Sequence, residues 1–257
     1  MSGPTVISEL PQAAGWYGKI PALGDFASRR LSRQFIDAWD EWLQRAISKS
    51  REQLGPDWLD HYLSSPVWRF AMLPGLCGDG CWAGIVMPSV DNVGRHFPLV
   101  IAAPLPSQPG MLEWLMTDHG WFEAIEEAAL SCLDLTFPVE ALEARLARAG
   151  CPIRDADASP ARLAGAALAG WWHDTSGAPF QTTLPGCQCV GLLNTASQCL
   201  MSDAGHGKSL WWRLDDADGT MQLHAFRGLP PDDCFINLLD RQAPAPDPGG
   251  QAGPGST

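Results

Sequence analysis

The spacing of apolar residues changes once, sharply, in the first hundred positions, and that change limits what the chain can fold into. Over residues 32–50, Phe35, Trp39, Trp42, Leu43, Ala46 and Ile47 fall at i, i+4, i+7, i+8, i+11 and i+12. That spacing predicts a helix with one apolar face, and Asp37, Asp40, Glu41, Gln44, Arg45 and Lys49 lie mostly on the other face. From Val67 onward the pattern is that of strands. Residues 67–73 are polar only at Arg69 and end at Pro74-Gly75. Residues 77–81 form a tight loop, residues 82–87 a second strand closed by Pro88, and residues 89–94 a loop. Residues 95–103 read as a third strand, broken by Pro104 and Pro106. Three successive strands with short loops predict an antiparallel meander, because parallel neighbours need a long crossover. The fold class is therefore α+β: an antiparallel sheet with helices packed on it.

The stretch before the first helix is Gly15-Trp16-Tyr17-Gly18-Lys19-Ile20-Pro21-Ala22-Leu23-Gly24-Asp25-Phe26. Trp16, Tyr17 and Ile20 suit a short strand, Pro21 ends it, and Gly24-Asp25 signals a turn. Lys19 and Asp25 are a candidate charge pair that fixes the turn into the helix. Asp57 can cap a second short helix through Tyr62. After Pro109, helices are expected over 111–117, 121–135 and 139–149, with Gly150 as a C-cap. Residues 155–160 read as a loop, and 161–170 as a closely packed helix or a connector. Residues 186–200 fit more than one state. Residues 209–214 and 220–226 flank an Asp-Gly turn and predict a hairpin, and Pro230 or Pro231 opens a last helix through Leu239. The expected organisation is a tail over 1–14, an α+β domain over 15–135, and a helical part with a hairpin on the same body over 136–240. A second tail, rich in proline and glycine, covers 241–257.

With 17 basic against 29 acidic residues the net charge is −12, which disfavours nucleic acid and anionic membrane surfaces as partners. No apolar run is long enough to span a bilayer. Residues 1–11 carry neither positive charge nor an apolar core, so no signal peptide is expected and the cytoplasm is the expected compartment. There the 8 cysteines should be reduced thiols, many of them buried.

Several fragments echo known chemistry and fall short of it. Gly205-His206-Gly207-Lys208-Ser209 resembles the end of a phosphate-binding loop. Ser202 stands where that loop needs glycine, and strand-forming Leu210-Trp211-Trp212 follows where a helix should open. A solvated turn is the plainer reading. Cys77 and Cys81, and Cys187 and Cys189, are two close pairs, the second too tight for routine zinc chelation. Asp216-Ala217-Asp218-Gly219 hints at a calcium loop, but the glutamate expected at the twelfth position is absent. The six histidines are dispersed, and no nucleophile elbow or zinc-protease motif occurs. No catalytic residue, metal site or cofactor is expected. In the loop over 89–95, Asp91 can accept from loop amides and pair with Arg95 or Arg69; it either locks the turn or forms a rim offered to a protein. Trp211 and Trp212 must point to opposite faces of a strand, so one is core and the other either packs under a helix or anchors a partner. The candidate partner contacts are Asp91, Arg95 and Trp212.

Together, Gly15-Trp16-Tyr17-Gly18-Lys19-Ile20-Pro21, Gly24-Asp25-Phe26, Trp39-Asp40 with Trp42-Leu43, Trp68-Arg69-Phe70, and Pro88-Ser89-Val90-Asp91 with Val93-Gly94-Arg95 and Phe97-Pro98-Leu99 resemble the TagF (ImpM) family of type VI secretion accessory proteins. Ser209-Leu210-Trp211-Trp212 and Gly228-Leu229-Pro230 are similar to its C-terminal part, so the likeness runs over about 15–240. The resemblance implies a longin (SNARE-like) N-terminal part and a cytoplasmic, bacterial regulator rather than an enzyme. It implies post-translational repression of secretion-system assembly through binding to a forkhead-associated scaffold, beside a threonine kinase and phosphatase pathway. Some members carry a fused metal-dependent phosphatase, for which this chain has neither room nor acidic motif. Gly15, Trp16, Tyr17, Gly18, Lys19, Pro21, Gly24, Asp25, Phe26, Trp68, Arg69, Phe70, Ser89, Gly94, Phe97 and Pro98 are read as structural members of the signature. Two alternatives remain: a hydrolase with a distributed active site, and a longin-like adaptor.

Overall fold

The computed structural model describes residues 12–106, 111–117, 119–152, 159–176, 178–215 and 219–240. The N-terminal tail up to residue 11, the C-terminal tail, positions 155–158 of the expected loop and the hairpin turn at 216–218 lie outside these. Ala13 and Ala14, placed in the tail from sequence, are instead buried, and Ala14 belongs to the core.

Seven strands form one sheet: β1 (Gly15–Gly18), β2 (Ala27–Arg29), β3 (Trp68–Met72), β4 (Cys81–Met87), β5 (Leu99–Leu105), β6 (Lys208–Leu214) and β7 (Met221–Arg227). Their order is β2-β1-β5-β4-β3-β6-β7, and every neighbouring pair is antiparallel. The meander β3-β4-β5 is its centre, as the spacing predicts. The third strand starts four residues later than expected and runs through Pro104, while residues 95–98 complete the preceding loop. β2 has no counterpart in the sequence reading: three residues are too few to show a period.

Helices cover both faces, because β3, β4 and β5 are apolar on both sides. On one face lies α1 (Arg33–Leu54), capped by Ser32, whose Oγ accepts from the Phe35 amide at 3.2 Å. Its buried residues include all six of the predicted stripe. α2 (Trp58–Ser64) follows without a side-chain bond from Asp57, the expected cap. Trp39, Trp42, Phe35, Phe70, Trp82 and Trp211 meet here in ring contacts of 4.6 to 5.9 Å. The segment leading to α8 (Ile236–Leu239) closes this face: Trp42 donates to the Pro230 carbonyl and Trp68 to the Leu238 carbonyl, each at 2.7 Å. On the other face lie α3 (Met111–Thr117), α4 (Gly120–Ser131) and α5 (Val139–Ala149). They pack with Ala71, Ala83, Ile85, Ile101 and Ala103 of the sheet in a largely aliphatic core.

α6 (Pro160–His173) and α7 (Cys189–Ala204) form a helical hairpin before β6. Small residues let them approach: a Cβ placed on Gly165 would come within 2.5 Å of the Leu192 carbonyl. The outer surface of the hairpin keeps Leu163, Trp172, Val190 and Leu193 exposed. No helix among the described residues is long and apolar enough to cross a membrane.

Candidate functional site

The loop between β4 and β5 is built on one carboxylate. Asp91 accepts at Oδ1 from the amides of Val93 (3.1 Å) and Arg95 (2.8 Å), the local geometry that a short acidic side chain favours in a turn. Its Oδ2 accepts from Lys19 Nζ at 2.9 Å and Arg95 Nε at 2.7 Å. The Asp91 side chain is wholly buried and Lys19 nearly so. Burial by itself would raise the Asp91 carboxyl, but the bonds from the Arg95 amide, Lys19, the Arg95 guanidinium and the Val93 amide hold it well below the usual carboxylate range. Gly94 turns the loop at a φ of 83°, a region that suits glycine.

Neighbouring groups join the loop to the end of β1. Ser89 Oγ donates to the Lys19 carbonyl at 2.7 Å. Tyr62 Oη donates to the Ser89 carbonyl and accepts from its amide. Arg95 also donates to the Gly24 carbonyl at 2.6 Å, and the Asn92 amide to that of Leu23 at 3.1 Å. Gly18 sits at φ 134°, where a Cβ would lie 2.2 Å from the Pro98 carbonyl, so this approach of strand to loop needs glycine. Phe97 is buried beneath, edge-on to Phe26 at 4.7 Å and to Tyr17 at 6.2 Å, and Lys19 Nζ stands 5.0 Å over the Phe26 ring. What reaches the surface is a ridge: Gly24, Asp25 and Phe26 on one side, Asn92, Val93, Gly94 and Arg95 on the other.

The expected charge pair is thus re-partnered. Lys19 bonds Asp91, 72 positions away, and not Asp25. Asp25 is exposed; it accepts from the Phe26 amide and lies 3.8 Å from Arg95. Of the candidate contacts, Arg95 is half exposed, whereas Asp91 is committed inward. Trp212 is excluded from any surface role: it is fully buried, with its ring 5.3 Å from Phe122 of α4. Trp211 is equally buried against α1, so the strand sends one indole into each core. The exposed tryptophans among the described residues are Trp171 and Trp172, the other pair, and Trp172 is the more exposed.

The remaining signature residues join layers. Arg69 makes a two-pronged bond to Glu126 of α4 at 2.6 and 2.9 Å, not to Asp91. Trp16 donates to Glu143 of α5 at 2.6 Å, and Arg30 binds the other oxygen of that carboxylate. Tyr17 donates to Asp40 of α1 at 2.6 Å. Gly15, Pro21, Trp68, Phe70 and Pro98 are buried. Glu126, Glu143 and Asp40 escaped the sequence reading because each looks like a solvated residue on a helix.

The fragments with chemical echoes fall as follows. Lys208 opens β6 and bonds the last carbonyl of α7, so the glycine-lysine fragment ends a helix instead of opening one. Cys77 and Cys81 are buried, and burial pushes the Cys77 thiol up to about 11. Cys187 and Cys189 are exposed. His119 Nδ1 lies 3.3 Å from Arg69, and His173 pairs with Asp203 at 3.2 Å.

A family model described as the TagF N-terminal domain, type VI secretion system-associated, matches residues 15–149, more than half of the chain. The crystal structure of PA0076 from Pseudomonas aeruginosa PAO1 is similar, with a TM-score of 0.67 and 34% identity, over 88% of this chain and 94% of that one. No curated protein matches significantly.

Proposed function

The chain belongs to the TagF family of type VI secretion system-associated proteins, and from that membership we propose that it is a cytoplasmic regulator which represses assembly of the secretion apparatus by binding a protein. In this reading it acts after translation, catalyses no reaction, and occupies a forkhead-associated scaffold. The observation that carries the reading is the ridge of Phe26, Val93 and Arg95. It is formed by residues of the motifs that resemble the family, and it stands on the buried Lys19–Asp91–Arg95 network. Surface loops fixed to a rigid sheet are where recognition usually sits. An arginine together with two exposed apolar side chains has the composition of an interface centre. A stable complex would bury about 1,200–2,000 Å² in total, so the ridge is the middle of a larger contact.

Pull-down of the purified chain with the scaffold of its own secretion system tests the binding. The scaffold should be retained by the native chain and lost by Val93→Asp, a substitution at a side chain with no internal role. Retention of the scaffold by Val93→Asp would move the interface elsewhere, and failure of the native chain to retain it would remove the scaffold from the reading. Deletion of the gene should increase effector release. Unchanged release would end the repressor assignment.

A further inference from the structure

Between α3, α7 and the ends of β4, β5 and β6 lies a cavity of about 200 Å³, remote from the ridge. Leu73, Leu105, Met111, Met116 and Leu210 wall it. These side chains offer water no hydrogen-bond partners, so this part of the wall favours an apolar occupant. Thioethers among the walls adapt to an irregular occupant better than branched side chains do. The polar side chains at its lining include Glu113, Gln198 and Ser202. Glu113 of α3 accepts from the side-chain amide of Gln198 of α7, and this bridge crosses from the body to the hairpin. A carboxylate has about four acceptor positions, so Glu113 can receive a further donor.

We propose that this cavity binds a small amphipathic molecule: a hydrocarbon part of about six to eight carbons, since a cavity of about 150 Å³ already takes benzene, ending in a hydroxyl or amine that donates to Glu113. The charge of Glu113 sets the class, because a carboxylate end would meet a like charge. The placement also sets a consequence. One wall belongs to the sheet body and the other to α7, so an occupant adds contacts that hold the hairpin against the body. The two parts of the chain shape the site together. A volume of about 200 Å³ suits a free small molecule.

The chain carries its own reporters. Of its 7 methionines, Met111, Met116 and Met201 line the cavity, while Met72, Met87 and Met221 lie elsewhere. The full chain, labelled with 13C at the methionine methyls, is titrated with 1-hexanol. Saturable shifts are expected at Met111, Met116 and Met201, with the other three unmoved. Hexanoate at neutral pH should bind about tenfold or more weakly, because like charges are brought together. Glu113→Gln should narrow that difference. Leu210→Trp fills the cavity and should abolish the saturable shifts, with Met72 and Met87 reporting that the fold is intact. Ser202→Phe, on the α7 side, fills it from the helix if the strand variant does not fold. Absence of a saturable shift overturns the proposal, as does an equal response of all six methionines or an undiminished response in a folded filled variant. Equal binding of hexanoate overturns the assigned class.

Discussion

The same dipeptide occurs in two regions with opposite outcomes. Trp211-Trp212 lies on β6 in the interior of the sheet, and Trp171-Trp172 lies at the end of α6 on the hairpin. On the strand, alternation sends neighbouring indoles to opposite faces, and both faces are covered, so both rings are fully buried. At the helix end neighbouring side chains splay by about a quarter turn, and among the described residues no second layer covers them. Trp171 bonds the Ala178 carbonyl at 2.6 Å, and Trp172 is 64% exposed. The body is held by large rings meeting across layers. The hairpin is held by small residues at one helix-helix seam, and it presents its large side chains to solvent. Residue identity did not decide burial; the number of layers available to cover the residue did.

The sharpest way to break this contrast is truncation. Trp211→Ala should cost about 3–5 kcal/mol, the range for a large aromatic removed from a packed core. Trp172→Ala should stay within about 0.5 kcal/mol, as surface changes do. Urea midpoints of the two variants measure both; equal losses would mean that the hairpin rings are as well packed as the core.

Next in size is the seam. Gly165→Val places atoms against the Leu192 carbonyl and Thr195, and overpacking of this kind costs about 1–3 kcal/mol. The loss should be confined to the hairpin. Amide exchange should accelerate in α6 and α7 and stay slow in β3, β4 and β5; acceleration across the sheet would show that the two regions unfold together.

The third test uses protons. Asp91 has a folded-state pKa held below its unfolded value. The stability it contributes is therefore present above the unfolded value, about 3.9, and is lost as pH falls toward the lower folded one. Denaturation midpoints of the native chain should drop as the medium is acidified below that value, and Asp91→Asn should be destabilised at neutral pH with a flatter acid limb. A native acid limb unchanged in Asp91→Asn would detach Asp91 from the stability of the body.

The smallest effect is kinetic. Cys187 and Cys189, both exposed, should react with a thiol reagent at pH 8 well before Cys77, which is buried and titrates near 11. Site-by-site mass spectrometry gives the order, and early modification of Cys77 would show the loop over 77–81 opening faster than its burial allows.

Local signals carried much of the fold. The stripe Phe35, Trp39, Trp42, Leu43, Ala46 and Ile47 marks α1 because a helix repeats its face within a few residues. The two-sided apolar run 67–73 marks a strand covered on both faces. Val139 and Gly150 bracket α5 because the C-cap glycine takes a positive φ. Residues 186–200 stayed open because their apolar positions are spread around α7, which has only a narrow seam to bury. For the candidate site, the turn-locking role of Asp91 with Arg95 was legible, since both ends lie within five residues.

The partners that cross the chain were not legible. Lys19 has Asp25 six positions away and Asp91 72 positions away, and spacing along the sequence favours the nearer one. Only the sheet order, which sets β1 beside β5, carries the end of β1 to the loop before β5 and buries the distant pair. Arg69 likewise passes over Asp91 for Glu126, because β3 faces α4 at that register. By itself the sequence determined α1, the strands of the central meander, the late hairpin and the family motifs they carry, because those depend on short-range steric and apolar periodicity, while β2 and α7 stayed beyond it. The tertiary structure decided which charges are paired, which tryptophans are covered and which side chains form the exposed ridge, because those depend on what is stacked above each residue.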